Sequence, residues 1–228
     1  MHAAMVGRPD REAGTVADMA VDKEALIARL AGRLIVSCQD YTEVMIRAAI
    51  RGGASGLRIN SPRDVRIAVQ MADLPIVACN KMYFPNSPIY ITPSVRAAVN
   101  LVAAGAHMVA LDCTDGPRVR QEPVEIVAAI HEAGALAVAD LSCLQDAPRA
   151  VEAGADILAS TLAPRFDLEF IHGLVQFGKP VLAEGHVDLP ELARQAVDIG
   201  AWCVCVGSAI TRPHLLTEQF SKALGDQR

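Results

Sequence analysis

The stretch "VRAAVNLVAAGAHMVALD", residues 95–112, contains one complete unit of a pattern that repeats along the chain. Its first part places apolar side chains at the i, i+3, i+4 and i+7 positions of an amphipathic helix. Gly105-Ala106 then ends the helix, because glycine adopts the left-handed C-cap conformation without steric cost. "MVALD", residues 108–112, is almost entirely apolar, which is typical of a strand buried on both faces. The stretch therefore predicts a helix followed by a strand of a parallel sheet.

The same unit recurs before and after this stretch. Further Gly-Ala pairs end predicted helices at residues 53–54, 134–135, 154–155 and 200–201. Ser61-Pro62 and Thr92-Pro93 predict two helix starts, since a hydroxyl can cap a helix and proline suits its first position. Eight short apolar runs predict strands: "LIVSC" at 34, "GLRI" at 56, "IVAC" at 76, "MVALD" at 108, "LAVAD" at 136, "ILAST" at 157, "VLAE" at 181 and "CVCVG" at 203. Eight strand–helix units in one chain of this length favour an α/β fold of the closed (β/α)₈ barrel type (TIM barrel) over an open doubly wound sheet.

Composition is consistent with one large domain. The chain has 228 residues, 52% of them hydrophobic, and a mean hydropathy of +0.27, which is enough to bury a sizeable core. We predict a flexible N-terminal tail over residues 1–20 and the barrel over residues 21–228. The tail contains acidic residues and a proline but no continuous apolar run, so we interpret it as neither a signal peptide nor a membrane anchor.

Charge and cysteine usage narrow the class of partner. The net charge is −5 without a run of five like charges, which argues against nucleic acid or an anionic membrane as the main partner and favours a small molecule. The six cysteines form no CxxC pair, so we expect reduced core thiols in a cytoplasmic protein. The histidines show neither HxH nor HExxH spacing, so no metal site is predicted. His107 is expected to pack at a strand start, whereas His186 lies in a predicted catalytic loop.

The residues that follow the eight predicted strands are all polar or glycine. In a (β/α)₈ barrel the loops at the carboxyl ends of the strands build the site. We therefore expect these residues to converge on one pocket. In chain order they are Gln39; Arg58 with Asn60; Lys81; Asp112; Asp140; Ser160 with Thr161; Glu184; and Gly207-Ser208.

Lys81 and Glu184 are the candidates for proton transfer. An amine at the mouth of a barrel is partly removed from water, so Lys81 can act as a base or as a Schiff-base nucleophile. The alternative is a protonated Lys81 that is paired with Asp112 or Glu184 and only binds an anion. Glu184 can exchange a proton at the opposite side of a substrate, or it can be a structural partner of Arg58 or Lys81. Asp112 and Asp140 can orient Lys81 or hold a sugar hydroxyl, and we expect one of them to be structural.

The stretch "CVCVGSAITRP", residues 203–213, predicts a phosphate site. A glycine and a hydroxyl residue at the start of a helix offer backbone N–H groups to an anion. The loops after strands 7 and 8 form the usual phosphate site of such barrels, so Gly185 would share the phosphate with Gly207 and Ser208. Arg212 could add a charge-assisted contact. The alternative is an ordinary tight turn with Ser208 as the helix cap.

The chain resembles the N-acetylmannosamine-6-phosphate 2-epimerase family from about Leu34 to Leu224. The stretches that carry the resemblance include "LPIVACNKMYFPNSPIYITPS", "VEAGADILASTLA", "PVLAEGHVD" and "VCVGSAITRP". The resemblance implies a (β/α)₈ barrel that inverts C2 of an N-acetylhexosamine 6-phosphate in bacterial sialic-acid catabolism, without metal or nucleotide cofactor. It implies that Lys81 and Glu184 are the proton-transfer pair, that Gln39, Arg58 and Asp112 bind substrate, and that Gly185, Gly207, Ser208 and Arg212 hold the phosphate. We add Asp140 and Thr161 to the predicted substrate-binding residues.

The departures from the family pattern lie in the loops. "DYTEVM" after Gln39 is shorter than the family's loop, and the loop after Thr161 is also short. Asp115-Gly116 replaces a basic pair after Thr114, His186 replaces an arginine after Gly185, and Met82-Tyr83 replaces polar residues. We predict a C2 epimerase. The alternatives are a related barrel isomerase or aldolase acting on a different sugar phosphate, and a non-catalytic sugar-phosphate binder. Apolar residues on the outer helices permit a homodimer.

Overall fold

The computed structural model describes residues 22–40 and 42–225. The tail predicted over residues 1–20 lies outside these described residues. The eight strands are β1 Leu34–Ser37, β2 Gly56–Asn60, β3 Ile76–Cys79, β4 Met108–Asp112, β5 Leu136–Asp140, β6 Ile157–Ala159, β7 Val181–Glu184 and β8 Cys203–Val206. The helices are α1 Lys23–Leu30, α2 Thr42–Arg51, α3 Pro62–Met71, α4 Val95–Ala103, α5 Pro123–Glu132, α6 Ala147–Glu152, α7 Leu168–Val175, α8 Pro190–Asp198, α9 Ser208–Thr211 and α10 Pro213–Ala223.

The strands form one closed parallel barrel in the order β1 to β8, which confirms the predicted (β/α)₈ fold in a single domain. β1 closes the barrel by pairing with β8, with Ile35 opposite Cys205. Alternate side chains of each strand point to opposite faces, so Met108 belongs to the apolar cluster inside the barrel and Val109 to the cluster between the sheet and the helices. Both faces are therefore buried, which explains why the strands are almost continuously apolar.

Helices end at the predicted glycines, and one of the two predicted helix starts is wrong. Gly105 has a φ of +106°, and a Cβ there would lie 2.8 Å from Val69 Cγ2, so glycine serves both the turn and the packing of neighbouring helices. Ser61 caps α3 by accepting from Asp64 N, as predicted. The start predicted at Thr92-Pro93 is wrong. Ser94 caps α4 instead, and the buried Thr92 hydroxyl accepts from Asn80 N and donates to Ala110 O.

Five of the six cysteines are buried and all are free, whereas Cys143 is exposed. The prediction of a core thiol is therefore wrong for Cys143, which lies in the surface loop after β5. His107 is half-buried and accepts a hydrogen bond from Ile76 N at 3.2 Å, which agrees with its predicted packing role at a strand start. Burial lowers the pKa of His107. In residues 22–40 and 42–225, none of the helices is long and apolar enough to cross a membrane.

Candidate active site

A cavity of about 260 Å³ lies at the carboxyl ends of the strands. The barrel brings most of the predicted site residues together there, although they come from strands far apart in the sequence. Four of the residues expected in this pocket do not line it: Asn60, Asp112, Asp140 and Ser160. The predicted residues that line it are Gln39, Arg58, Lys81, Thr161, Glu184, Gly185, Gly207, Ser208 and Arg212, and His186 joins them.

Arg58 lies at the floor of this cavity and is 1% exposed. Its guanidinium binds two carboxylates: Nη2 lies 2.5 Å from Asp140 Oδ2, and Nη1 lies 2.5 Å from Glu184 Oε2. Thr161 Oγ1 donates to Asp140 Oδ1 at 2.6 Å, which satisfies a further lone pair. Among the described residues, Arg58 Nε is a buried nitrogen without a hydrogen-bond partner. The floor therefore holds one guanidinium, two carboxyl groups and one buried N–H group without a partner among the described residues.

The charged neighbours of Glu184 in this floor, together with its burial, shift its pKa. Burial raises the pKa of Glu184; the positive charge of Arg58 opposes this shift and the negative charge of Asp140 reinforces it. Ser160 holds the backbone at this point, because its hydroxyl donates to Glu184 O at 2.8 Å and accepts from Glu184 N at 3.1 Å. Glu184 is thus a rigidly placed carboxyl that retains a proton at higher pH than a solvated carboxyl does. The structural partnership with Arg58 and a role in proton exchange are compatible.

Lys81 lies two residues beyond the end of β3 and lines the same cavity. Its backbone N–H donates to Asn60 Oδ1 at 3.0 Å, and its backbone forms an antiparallel bridge with Ile91. In the part of the chain that the structure describes, the Lys81 amine forms no ion pair, so the alternative pairing with Asp112 or Glu184 is not seen. Asn60 and Ile91 therefore hold the backbone of Lys81, while its amine is available to bind a ligand.

The two aspartates have different surroundings. Asp140 is fully buried and binds Arg58 through two hydrogen bonds, so it acts on the cavity through the guanidinium. Asp112 Oδ1 accepts from both the hydroxyl and the backbone N–H of Thr114, at 2.6 and 3.0 Å. Burial raises the pKa of Asp112, and the hydrogen bonds from Thr114 oppose this shift. The carboxylate of Asp112 therefore holds the start of the loop after β4.

The predicted phosphate residues gather at the end of the cavity formed by the loops after β7 and β8. Gly185 has a φ of +94°, and a Cβ there would lie 3.1 Å from Thr161 O, so this position needs glycine. Gly207 and Ser208 open α9, which has only four residues, so its dipole is small and its free N–H groups matter more. Arg212 Nε lies 2.9 Å from Asp40 Oδ2, so this guanidinium already has one carboxylate partner.

Several cavity residues were not predicted from the sequence. Tyr90 lines the cavity and stacks on Tyr83, with ring centroids 5.1 Å apart. Burial raises the pKa of the Tyr90 hydroxyl. Tyr90 lies far along the segment after β3 and returns only through the bridge between Lys81 and Ile91, so no local signal marked it. Asp40 directly follows the predicted Gln39 and could have been found. The other lining residues that were missed are Ser37, Ile91, Leu162, Val187, Asp188, Cys205 and Thr211.

The donor types do not suggest a metal centre. Within residues 22–40 and 42–225, no group of three or more His, Cys, Asp or Glu side chains is arranged to hold a metal ion. The cavity instead offers cationic and amide donors from Arg58, Lys81, Gln39 and Arg212, together with the carboxyl groups of Asp40, Glu184 and Asp188. Such donors suit an anionic substrate with several oxygen atoms.

Comparison with known proteins identifies similar chains over most of this length. Residues 42–226 match the family described as "Putative N-acetylmannosamine-6-phosphate epimerase". A "Bifunctional enzyme NanE/NanK" of Brucella melitensis is 38% identical over 223 residues, which cover 88% of this chain and 42% of that protein. A "Putative N-acetylmannosamine-6-phosphate 2-epimerase" of Clostridium perfringens is 36% identical over 214 residues, which cover 85% of this chain and 97% of that protein. This chain therefore spans less than half the length of the bifunctional relative.

A solved structure gives the same result. The N-acetylmannosamine-6-phosphate 2-epimerase from Clostridium perfringens superimposes with a TM-score of 0.83 at 32% identity, covering 87% of this chain and 96% of that one. The thiamine phosphate pyrophosphorylase from Pyrococcus furiosus, with a TM-score of 0.56 at 19% identity, shares the fold alone.

Proposed function

We propose a reaction for this chain, which belongs to the N-acetylmannosamine-6-phosphate 2-epimerase family. The chain converts N-acetylmannosamine 6-phosphate into N-acetylglucosamine 6-phosphate by removing and returning the proton on C2. The observation that carries the proposal is the arrangement of one cavity. An amine without an ion pair in the described residues, Lys81, faces the same space as Glu184, a carboxyl whose pKa is raised. Epimerisation at a carbon bearing an acidic proton needs a base, an acid and donors for the developing charge.

The chemistry follows from the open-chain form of the sugar. The C1 aldehyde acidifies the proton on C2, because the electrons of the broken C2–H bond move into the C1–C2 bond and the carbonyl electrons move onto O1. The resulting enolate is planar at C2. Return of a proton to the opposite face inverts C2 and regenerates the aldehyde, so no electrons are gained or lost overall. Sialic-acid and amino-sugar catabolism would use this step.

Lys81 is assigned to the proton on C2. Its backbone is held by Asn60 and by the bridge to Ile91, whereas its amine has no partner that must be displaced. Glu184 serves the other face or assists ring opening, since its raised pKa keeps a proton available closer to neutral pH. Burial is the main cause of this raised pKa, and the salt link to Arg58 keeps the carboxyl oriented.

The remaining donors hold the substrate. The side chains of Arg58 and Gln39, which both line the cavity, are assigned to the developing oxyanion and the N-acetyl oxygen. Asp140 acts through Arg58, from which it accepts hydrogen bonds, and Thr161 holds Asp140 by donating to its carboxylate. Asp112 is proposed to support substrate binding indirectly, because it holds the start of the loop after β4.

The phosphate is assigned to the opposite end of the cavity. The backbones of Gly185, Gly207 and Ser208 line it, and Arg212 adds a positive charge that Asp40 orients. Because α9 is a single turn, the binding comes from N–H groups and the guanidinium rather than from a helix dipole. His186, with a φ of +54°, lies in the same loop as Gly185 and faces this end.

The test is proton NMR of N-acetylmannosamine 6-phosphate with the purified protein in D₂O. The proposal expects the N-acetylglucosamine epimer to appear with deuterium at C2. Lys81→Met should reduce turnover by about 10² to 10⁴-fold, the range for removal of an acid–base residue. Lys179→Met is the matched control, because Lys179 does not line the cavity, and it should keep wild-type turnover.

Other outcomes would point to the alternatives. A substrate adduct trapped on Lys81 by borohydride would favour an aldolase or isomerase with a Schiff base. Tight binding without deuterium exchange would favour a non-catalytic binder. Near-wild-type turnover in Lys81→Met would remove Lys81 from the mechanism.

A homodimer is proposed because the protein exposes two apolar surfaces, a groove outside β1 and β8 and one face of α10. A groove of about 440 Å³ lies outside β1 and β8 and is lined by apolar side chains that include Leu34, Val197 and Val204. In a (β/α)₈ barrel a helix normally covers the outer face of each strand. α10, in contrast, buries none of its residues and exposes Leu216 by 50% and Phe220 by 67%. A second copy that covers both surfaces would remove this apolar area from water.

Light scattering would test the dimer. Phe220→Glu should yield monomers, whereas Val44→Glu, on the exposed part of α2, should leave the dimer intact. A wild-type chain that stays monomeric at high concentration would contradict this part of the proposal. A cytoplasmic location is also proposed, because all six cysteines are free and thiols stay reduced in that compartment.

A further inference from the structure

A second cavity of about 420 Å³ lies behind the segment that carries Lys81. It is bounded by the residues after β3, by the first turns of α4 and by residues 120–121. Lys81 points into the candidate active site, whereas its two neighbours Asn80 and Met82 line this second cavity. The two cavities therefore lie on opposite sides of one short stretch of backbone.

The charged side chains that line the second cavity are both arginines, Arg96 and Arg120. Neither takes part in an ion pair within the part of the chain that the structure describes. Arg120 contacts the ring of Phe84, with its guanidinium carbon 6.0 Å from the centroid, which leaves its N–H groups available. Both arginines are exposed residues, and among the described residues no carboxylate lines the cavity that they share, so an anion held there would meet two positive charges.

The amide side chains of the cavity supply further donors. Those of Asn80 and Asn100 line it, and neither makes a hydrogen bond to another described residue. Two acceptor oxygens of the cavity are already used: Ser94 Oγ accepts from Ala97 N, and Gln121 Oε1 accepts from Val95 N. The start of α4 is thus capped by the protein itself. The donors left free among the described residues are two guanidinium forks and the NH2 groups of three carboxamides, Asn80, Asn100 and Gln121, which together match a tetrahedral oxyanion.

We propose that this second cavity binds a small phosphate-bearing anion, at a site distinct from the substrate site. The guanidinium groups of Arg96 and Arg120 hold the phosphate, and Asn80 and Asn100 donate to its remaining oxygens. The cavity is larger than a phosphate group, so it accommodates the organic part of a phosphorylated metabolite. The binding site itself does not depend on what the first cavity catalyses.

Occupancy of this site acts on Lys81 through the backbone. Asn80 N donates to Thr92 Oγ1 and Lys81 N donates to Asn60 Oδ1, so residues 80 and 81 form one restrained segment. An anion bound to the side chain of Asn80 shifts the backbone of residues 80 and 81, which positions the amine of Lys81. It therefore changes kcat rather than KM, and we expect a change of at least about fivefold, at the low end of typical couplings between sites. This kinetic consequence alone rests on the proposed epimerase function.

The binding test uses inorganic phosphate and the full chain. Calorimetric titration should give two phosphates per wild-type chain, one in each cavity. Arg96→Gln/Arg120→Gln should weaken one of the two binding events by at least about tenfold, since each lost charged hydrogen bond contributes that much. Arg63→Gln/Arg66→Gln is the control, because these arginines are exposed on α3, form no ion pair among the described residues, and their loss changes the net charge equally. It should keep both binding events.

Two results would overturn the proposal: phosphate binding that is unchanged in Arg96→Gln/Arg120→Gln, whether one or two phosphates bind to the wild-type chain, or an equal loss in the control pair, which would mean general attraction by net charge. Turnover at several phosphate concentrations then separates the two cavities. Phosphate in the first cavity raises the apparent KM in every variant, whereas the change in kcat should vanish in Arg96→Gln/Arg120→Gln only. If the epimerase function fails, no deuterium enters C2 in any variant, while the calorimetric difference remains.

Discussion

Replacing Arg58 by leucine would leave two buried carboxyl groups without the guanidinium that binds both. Asp140 is fully buried, the Glu184 side chain is 10% exposed, and each lies 2.5 Å from an Arg58 nitrogen. Removing one partner of a buried ion pair typically costs about 3–5 kcal/mol. Because one substitution here removes the partner of two carboxylates, we expect Arg58→Leu to lower the free energy of unfolding by at least that amount at pH 7.

The loss should depend on pH in a defined direction. Without Arg58, the two buried carboxyl groups take up protons in the folded state, whereas in the unfolded chain they ionise near pH 4. The folded state then binds more protons than the unfolded state, so stability falls as pH rises. The slope is about 1.4 kcal/mol per pH unit for each proton. Between pH 5 and 7 the penalty should therefore grow by up to about 2.7 kcal/mol per carboxyl group, and it should be smallest below pH 4.

Urea unfolding followed by circular dichroism and by the fluorescence of Trp202 would measure this effect. The chain has one tryptophan, and its Nε1 donates to Ile27 O, so its signal reports on the packing of α1 against the barrel. The control is Arg58→Leu/Asp140→Asn/Glu184→Gln, which removes both titrating groups and should abolish the extra pH dependence. A loss below about 1 kcal/mol, or the same loss at pH 5 and pH 8, would refute the view that one guanidinium stabilises two buried carboxyl groups in the floor.

Three further outcomes are expected. Gly185→Ala should cost about 1–3 kcal/mol of stability and raise KM, because φ is +94° and the new Cβ would lie 3.1 Å from Thr161 O; Gly178→Ala, with a φ of +69° and open space, should cost less, and equal costs in urea unfolding would contradict the packing argument. Asn60→Ala should reduce kcat about tenfold or more with little change in KM, since Lys81 N loses its acceptor, while Asn60→Asp keeps an acceptor and should recover part of the rate; equal kcat in the two variants would exclude this positioning role. Lys81→Met should unfold at nearly the wild-type urea concentration, because Lys81 has no ion pair among the described residues to lose, and a shift above about 1 kcal/mol would show a structural role.

The fold could be predicted because its signals are local. A helix face, a Gly-Ala stop and an apolar run each occupy a few neighbouring residues, as in residues 95–112, and each follows from backbone sterics or from burial. The prediction failed at Thr92, where a residue type that commonly caps helices makes tertiary hydrogen bonds instead. Thr92 matches a helix cap, but its hydroxyl joins the segment after β3 to β4 instead.

The site could be predicted in part for the same reason. In a parallel barrel every strand ends at one rim, so Lys81 and Glu184 had to approach each other once the strands were located. Tyr90 could not be placed, because it reaches the cavity through a bridge between Lys81 and Ile91 that no periodicity marks. Cys143 likewise matched the pattern of a core thiol and is exposed.

The sequence by itself determined the barrel, the order of its strands and the identity of the groups at its rim. The tertiary structure alone decided which of these groups pair. Arg58 lies 82 residues from Asp140 and 126 residues from Glu184, and their salt bridges cross the inside of the barrel. Arg212 turns to Asp40, 172 residues away, while Lys81 remains without an ion pair in the described residues. Periodicity specifies the face to which a side chain points, whereas pairing depends on the distances across the closed barrel and on the cost of burying each charge, which exist only after folding.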